Sequence, residues 1–177
     1  MHLNVEIKAR CKDIREARTI LEYEGAEYRG LDHQVDTYFR VPHGRLKLRE
    51  GELENALIFY ERENKKGPKD SKVILYQAQP DPKLKEALKA ACSVLAVVDK
   101  LRHIYFIDNV KFHVDVVQGL GKFCEIEAID TRGTSDQARL LEQCRHYMAI
   151  LGIKNEDLIS YSYSDLLLQK QVVSDKK

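Results

Sequence analysis

Charged side chains recur at every second position in several short segments of this chain, and the sign of the charge changes from segment to segment. Glu6-Ile7-Lys8 is the first, with Asn4 two positions earlier on the same side. Arg45-Leu46-Lys47-Leu48-Arg49 alternates three cations with two leucines. Lys100-Leu101-Arg102, Lys111-Phe112-His113-Val114-Asp115-Val116 and Glu125-Ile126-Glu127 follow. In a β-strand, residues i, i+2 and i+4 share one face, so each segment has a charged face and an apolar face. A row of Arg and Lys suits the oxygens of a highly charged anion. Alternate carboxylates supply the hard oxygen ligands that Mg²⁺ and Mn²⁺ prefer. Sorting by sign suggests a curled sheet whose cations and carboxylates face one another across a cavity that holds an anion and metal ions.

The elements that must position these residues follow from the local pattern. A first strand covers 3–10. Asp13 caps a helix of about a dozen residues, with Ile14, Ala17, Ile20 and Leu21 at helical spacing, and Gly25 ends it. Strands are expected at 33–41, 45–50, 56–63 and 72–79, with Pro42-His43-Gly44 as a tight turn and Asn64 to Asp70 as a polar loop. Asp81-Pro82 starts a helix over 82–96 that buries Leu84, Leu88, Ala91, Cys92 and Leu95. Strands at 97–107, 110–117 and 123–130 come next, turned by Asp108-Asn109 and Gly119-Leu120-Gly121. Thr134-x-x-Gln137 matches a capping box for a helix ending near Leu151, and a last helix covers 162–170. Residues 1–170 read as one α+β domain, with 171–177 as a disordered tail.

Bulk composition narrows the function classes. Lys and Arg number 29 against 28 Asp and Glu, a net charge of +1 that argues against general nucleic-acid binding. No apolar run reaches the ~18 residues of a membrane span, and residues 1–10 hold no signal-peptide core. The cysteines at 11, 92, 124 and 144 form no C-x-x-C pair, so they read as reduced, packed thiols of a cytoplasmic protein.

About eight mostly antiparallel strands can form an open sheet with a wet polar face, or a closed barrel with that face inside. Segregation by sign favours the barrel, with the apolar faces (Val5 and Ile7, Leu46 and Leu48, Phe112 and Val114, Cys124 and Ile126) covered by helices outside.

The ordered set of segments resembles the CYTH proteins, the triphosphate tunnel metalloenzymes. Asn4-Val5-Glu6-Ile7-Lys8 is similar to their E-x-E-x-K signature. His33 to Phe39, Arg45 to Glu50, Ile58 to Arg62, Lys100-x-Arg102-x-x-Tyr105, His113-Val114-Asp115, Gly119 to Phe123, Glu125-Ile126-Glu127 and Ser162 to Leu167 continue it in order. The resemblance is to the small branch that includes class IV adenylate cyclases and thiamine triphosphatase. It implies a closed eight-stranded antiparallel β-barrel, a triphosphate tunnel with helices packed outside. It also implies that Lys8, Lys47, Arg49, Arg62, Lys100 and Arg102 bind phosphate oxygens, with Arg45 a weaker addition on the face of Lys47. Glu6, Asp115, Glu125 and Glu127 would hold Mg²⁺ or Mn²⁺. The family has a carboxylate where this chain has Asn4, which removes one negative charge from the metal group.

Three functions stay open at this stage. One is a metal-dependent phosphohydrolase acting on an inorganic, thiamine or nucleoside triphosphate. The second is an adenylate cyclase that forms cyclic AMP and pyrophosphate from ATP. The third is a nucleotide- or polyphosphate-binding module without turnover. The partner in each case is a small triphosphate, not a membrane. No residue stands out as a general base. The Arg45 row has a plainer reading as a solvated edge strand. His113 reads as a packing or hydrogen-bonding residue, and His33, His43, His103 and His146 take no role. Lys65 to Lys69 read as a solvated loop.

Overall fold

The computed structural model describes residues 2–79, 81–131, 133 and 136–174. Eight strands carry the alternating segments: β1 (His2–Arg10), β2 (Glu27–Phe39), β3 (Arg45–Glu50), β4 (Ala56–Arg62), β5 (Lys69–Gln77), β6 (Val94–Ile107), β7 (Val110–Val117) and β8 (Gly121–Ile129). All neighbours pair antiparallel in the order β1-β5-β4-β3-β2-β6-β7-β8, and β8 returns to β1 to close the barrel. Closure leaves no edge strand, so the Arg45 row is not an edge protector.

The pleat of β1 shows how sequence becomes architecture. Val5, Ile7 and Ala9 point outward and are fully buried under helices, while Asn4, Glu6 and Lys8 point into the barrel. Fully burying a Val or Ile side chain stabilises by roughly 1.5–3 kcal/mol, which fixes the register against a one-residue slip. The outer core of β1, β7 and β8 is completed by α1 (Ile14–Tyr23) and α3 (Gln137–Ile150) through Ala17, Leu21, Leu140 and Cys144. A second cluster lies within the barrel and joins Tyr38, Ile58, Tyr60, Val73, Val98 and Phe123 to Tyr163, the first residue of α4 (Tyr163–Ser174).

Helix starts match their chemistry. Asp13 accepts from the backbone amides of Arg15 and Glu16, and Asp81 accepts from that of Lys83. At α4, Ser162 and Asp165 form a reciprocal capping box. Gly119 (φ 75°) and Gly121 (φ 102°) make the β7–β8 turn in backbone conformations that other residues rarely adopt.

Several boundaries differ from expectation. The strand expected at 33–41 begins six residues earlier, and a register shift at Tyr28/Gly30 lets this long strand bend around the barrel. The second helix, α2 (Pro82–Cys92), stops where Ser93 turns to φ 57°, and the valine-rich apolar run from Val94 joins β6 instead. None of its residues is fully buried, so Leu84 and Leu88 cover the barrel only partly. Lys69, expected in a solvated loop, opens β5 and is buried. Asp136, not Thr134, caps α3, and Thr134 lies outside the described residues. The last helix runs on through 171–174 of the expected tail, while 175–177 lie outside the described residues.

Candidate functional site

The inward faces enclose a cavity of about 180 Å³. Glu6, Lys8, Lys47, Arg49, Arg62, Arg102, Glu125 and Glu127 all line it. Going round the barrel, β5, β4 and β3 form a cationic arc of Lys69, Arg62, Lys47 and Arg49. The acids Glu125, Glu127 and Glu6 occupy β8 and β1. The expected sorting by sign is therefore present, although Lys8 on β1 sits among the acids and Asp36 on β2 adjoins the cations.

Cross-strand register turns these neighbours into ion pairs. Lys8 lies opposite Glu125, Arg102 opposite Asp115, and Arg49 opposite Asp36. Lys8 donates to Glu125, and its ammonium also sits 3.5 Å from the centre of the Tyr163 ring. Arg62 donates to Glu6. Arg102 binds Asp115 bidentately at 2.8 and 2.6 Å and reaches Glu125 at 2.8 Å. The Asn4 side-chain amide donates to Glu127. Burial raises the Glu6 carboxyl, but the charges of Arg62, Lys8 and Lys69 outweigh it and hold it below its usual range.

Three expected site residues lie off the cavity. Arg45 turns to Asn64 (2.9 Å) and Asp165 (3.0 Å), lining a shallow depression beside α4. Lys100 is buried behind Asp36, its Nζ 2.8 Å from Oδ2. Asp115 is fully buried, with both oxygens engaged by Arg102 and a further bond from the Tyr163 hydroxyl at 2.8 Å.

Sequence reasoning missed five residues of this constellation. Asp36 accepts from Lys47 (3.0 Å) and Arg49 (2.9 and 3.2 Å) and also meets Lys100. Burial raises its carboxyl, but Arg49, Lys100 and Lys47 carry it well below the usual range. Glu54, in the β3–β4 turn, binds Arg49 and Lys111. Lys69 donates to the carbonyls of Ile159 (3.3 Å) and Ser160 (3.2 Å), and burial together with Arg62 pulls its amine down to about 8. Tyr163 closes the end of the cavity at which Lys8 lies. Of these, Asp36 and Lys111 carried a signal, because each shares an inward face with assigned or polar residues of its own strand.

His113 hydrogen-bonds as expected, with Nδ1 3.0 Å from Glu125 Oε2. An ionised carboxylate only accepts, so Nδ1 carries the proton and Nε2, buried without a partner among the described residues, presents a lone pair.

Among the described residues, no three His, Cys, Asp or Glu side chains converge as a ready-made metal cage. The donor chemistry nevertheless fits a hard cation. Glu6 and Glu127 are directly opposed across β1 and β8, Glu125 shares their face, and the buried carbonyl oxygen of Asn4 has no hydrogen-bond partner among the described residues. An amide carbonyl at this position offers a hard oxygen without a carboxylate's charge.

The CYTH domain model matches residues 2–163. The chain belongs to the CYTH domain family. A Methanocaldococcus jannaschii protein named as a candidate adenylate cyclase is 26% identical over 178 residues, covering 93% of this chain and 98% of that one. The structure of PH1012 from Pyrococcus horikoshii OT3 is also 26% identical, with a TM-score of 0.80 over 94% of this chain and 99% of that one. The Hippeastrum protein HpAC1 shares the fold at 15% identity, with a TM-score of 0.60 over 97% and 96% of the two chains. CYTH membership agrees with the closed barrel and its charged interior. Among the described residues, no helix is long and apolar enough to cross a membrane.

Proposed function

We propose that this CYTH protein is a divalent-metal-dependent phosphohydrolase acting on a triphosphate held inside the barrel. The observation that carries this reading is the set of cavity-lining cations, each held by a carboxylate. A phosphate chain offers the same cations stronger acceptors and more charge. Lys8, Lys47, Arg49, Arg62 and Arg102 take the phosphate oxygens, with Arg supplying planar forks and Lys point charges. Asp36 orients Arg49 and Lys47, and Asp115 orients Arg102. Lys100 acts from behind through Asp36, and Arg45 fixes α4 through Asp165.

Glu6, Glu125 and Glu127, with the Asn4 carbonyl oxygen, would hold Mg²⁺ or Mn²⁺. When bound, the metal neutralises phosphate charge and supplies water of lowered pKa. The protein's own part is to fix the phosphates in line and to stabilise charge on the transferring group with Arg62 and Arg102.

HpAC1, described as a cyclase-like protein with a dominant triphosphatase activity, supports hydrolysis as the leading reading. Cyclisation of ATP, the activity in the name of the M. jannaschii relative, is the second. Incubation with Mg²⁺ or Mn²⁺ and tripolyphosphate, thiamine triphosphate or ATP, followed by product analysis, separates the two. Release of orthophosphate is expected. Cyclic AMP with pyrophosphate would replace hydrolysis by cyclisation, and tight binding without product would leave only a binding module.

A further inference from the structure

At the end of the barrel opposite Tyr163, a carboxylate just outside the cavity lining holds two cations, Arg49 and Lys111, that do line it. Glu54 Oε2 accepts from Arg49 Nη1 at 2.8 Å and from the Gln34 side-chain amide at 3.0 Å, and Oε1 accepts from Lys111. Arg49 is on β3 and Lys111 on β7, three strands apart round the eight-stranded ring, so one side chain bridges two parts of the cavity wall at this mouth of the barrel. Burial raises the Glu54 carboxyl, but Arg49 and Lys111 overcome it and hold it at about 2.

The turn beneath Glu54 is built to present it. One carboxylate, that of the fully buried Asp32, accepts from the backbone amides of Glu52 (2.7 Å), Leu53 (3.0 Å) and Glu54 (3.1 Å). Gln34 Nε2 also donates to Asp32 at 2.8 Å, so one amide ties the pinned backbone to the Glu54 side chain. Gly51 permits this grip, because a Cβ there would lie 2.7 Å from Asp32 Oδ2. With the backbone fixed, the movable part is the Glu54 side chain, which is 24% exposed at the rim.

We propose that Glu54 is a resident counter-anion, standing where the outermost phosphate group of a bound triphosphate sits and swinging out when the substrate enters. This rests on the triphosphate reading above and adds a selectivity device to it. The Glu54 side chain holds Arg49 and Lys111 extended into the mouth while the cavity is empty of substrate. An anion long enough to reach both cations must displace Glu54, so part of its binding energy is spent on breaking two ion pairs. Orthophosphate, bound deeper among Lys8, Arg62 and Arg102, does not meet that cost.

The test is calorimetric titration of tripolyphosphate and of orthophosphate into the full chain in chelator-treated buffer, for the unaltered protein, Glu54→Gln and Glu52→Gln. Glu52 is an exposed acid of the same turn, so its variant removes the same formal charge without touching Arg49 or Lys111. Glu54→Gln is expected to tighten tripolyphosphate about tenfold, as for a lost competing ion pair, with orthophosphate unchanged and Glu52→Gln within about twofold. Glu54→Ala provides the same readout should the Gln variant fold poorly. Equal effects of Glu52→Gln and Glu54→Gln, or weaker tripolyphosphate binding in Glu54→Gln, overturn the inference while leaving the triphosphate site standing. Absence of tripolyphosphate binding in every variant overturns the site itself, and the inference with it.

Discussion

Asp36 and Glu6 both point into the barrel, yet they are held in opposite ways. Asp36 is 2% exposed and meets three cations, Lys47, Arg49 and Lys100, with Lys100 wholly enclosed behind it. The Glu6 side chain is 24% exposed on the cavity surface and, among the described residues, its one ion-pair partner is Arg62. The first arrangement is a permanent part of the wall, because removing the acid strands several buried charges. The second is exchangeable from the acid's side, because Glu6 faces the cavity while the Arg62 side chain is only 2% exposed. Charge inside this barrel therefore does two jobs, and the exposure of the carboxylate separates them.

Acid should break the permanent pairs of Asp36 together with the exchangeable pairs of Glu54 and produce the largest effect. Asp36 and Glu54 have lowered pKa values in the folded state, so their stabilisation is complete above their unfolded values and is lost as pH falls through the folded ones. For Glu54 that window runs from about 4.5 down to about 2. Circular dichroism against pH should show unfolding concentrated below pH 4.5. A flat profile to pH 2 would mean that the buried acids contribute little.

Asp36→Asn should then cost about 3–5 kcal/mol in urea unfolding, the range for breaking a buried ion pair from one side. A loss below about 1 kcal/mol, the level of a surface pair, would erase the distinction drawn here. Arg62→Met should cost less stability than Asp36→Asn, because the acid it leaves behind lies on the cavity surface, but weaken tripolyphosphate about 10- to 100-fold, the worth of a charge-assisted hydrogen bond or two. A large stability loss with unchanged affinity would move Arg62 into the permanent set. Glu127→Gln should weaken Mn²⁺ in the tripolyphosphate complex about tenfold, since site affinity follows ligand charge. Paramagnetic resonance of free Mn²⁺ reads this directly, and an unchanged titration would remove Glu127 from the metal group.

The same division explains what the sequence made legible. Alternation in β1, β3, β7 and β8 gave the inward faces directly, since strand period and side-chain charge are both local. Asp36 was invisible as a hub because its cations come from β3 and β6, and only strand order brings them together. Lys69 follows Gly67-Pro68 in a polar stretch, so its burial depends on carbonyls 90 residues away. Glu54 lies in a turn, where no periodicity tells which way a side chain points. Asp115 matched a motif position but is shielded by Arg102, a fact of depth that spacing does not encode. The end of α2 at Ser93 was hidden because Val94 to Val98 keep an apolar character that suits helix and strand alike.

The central claim is that cavity-lining cations exchange internal carboxylates for a triphosphate. Calorimetric titration of tripolyphosphate into the unaltered protein and Arg62→Met, free of metal and at two salt concentrations, tests it most directly. One saturable site per chain is predicted, weakened by salt and by the substitution. No saturable binding, or equal affinity in the two proteins, would contradict it.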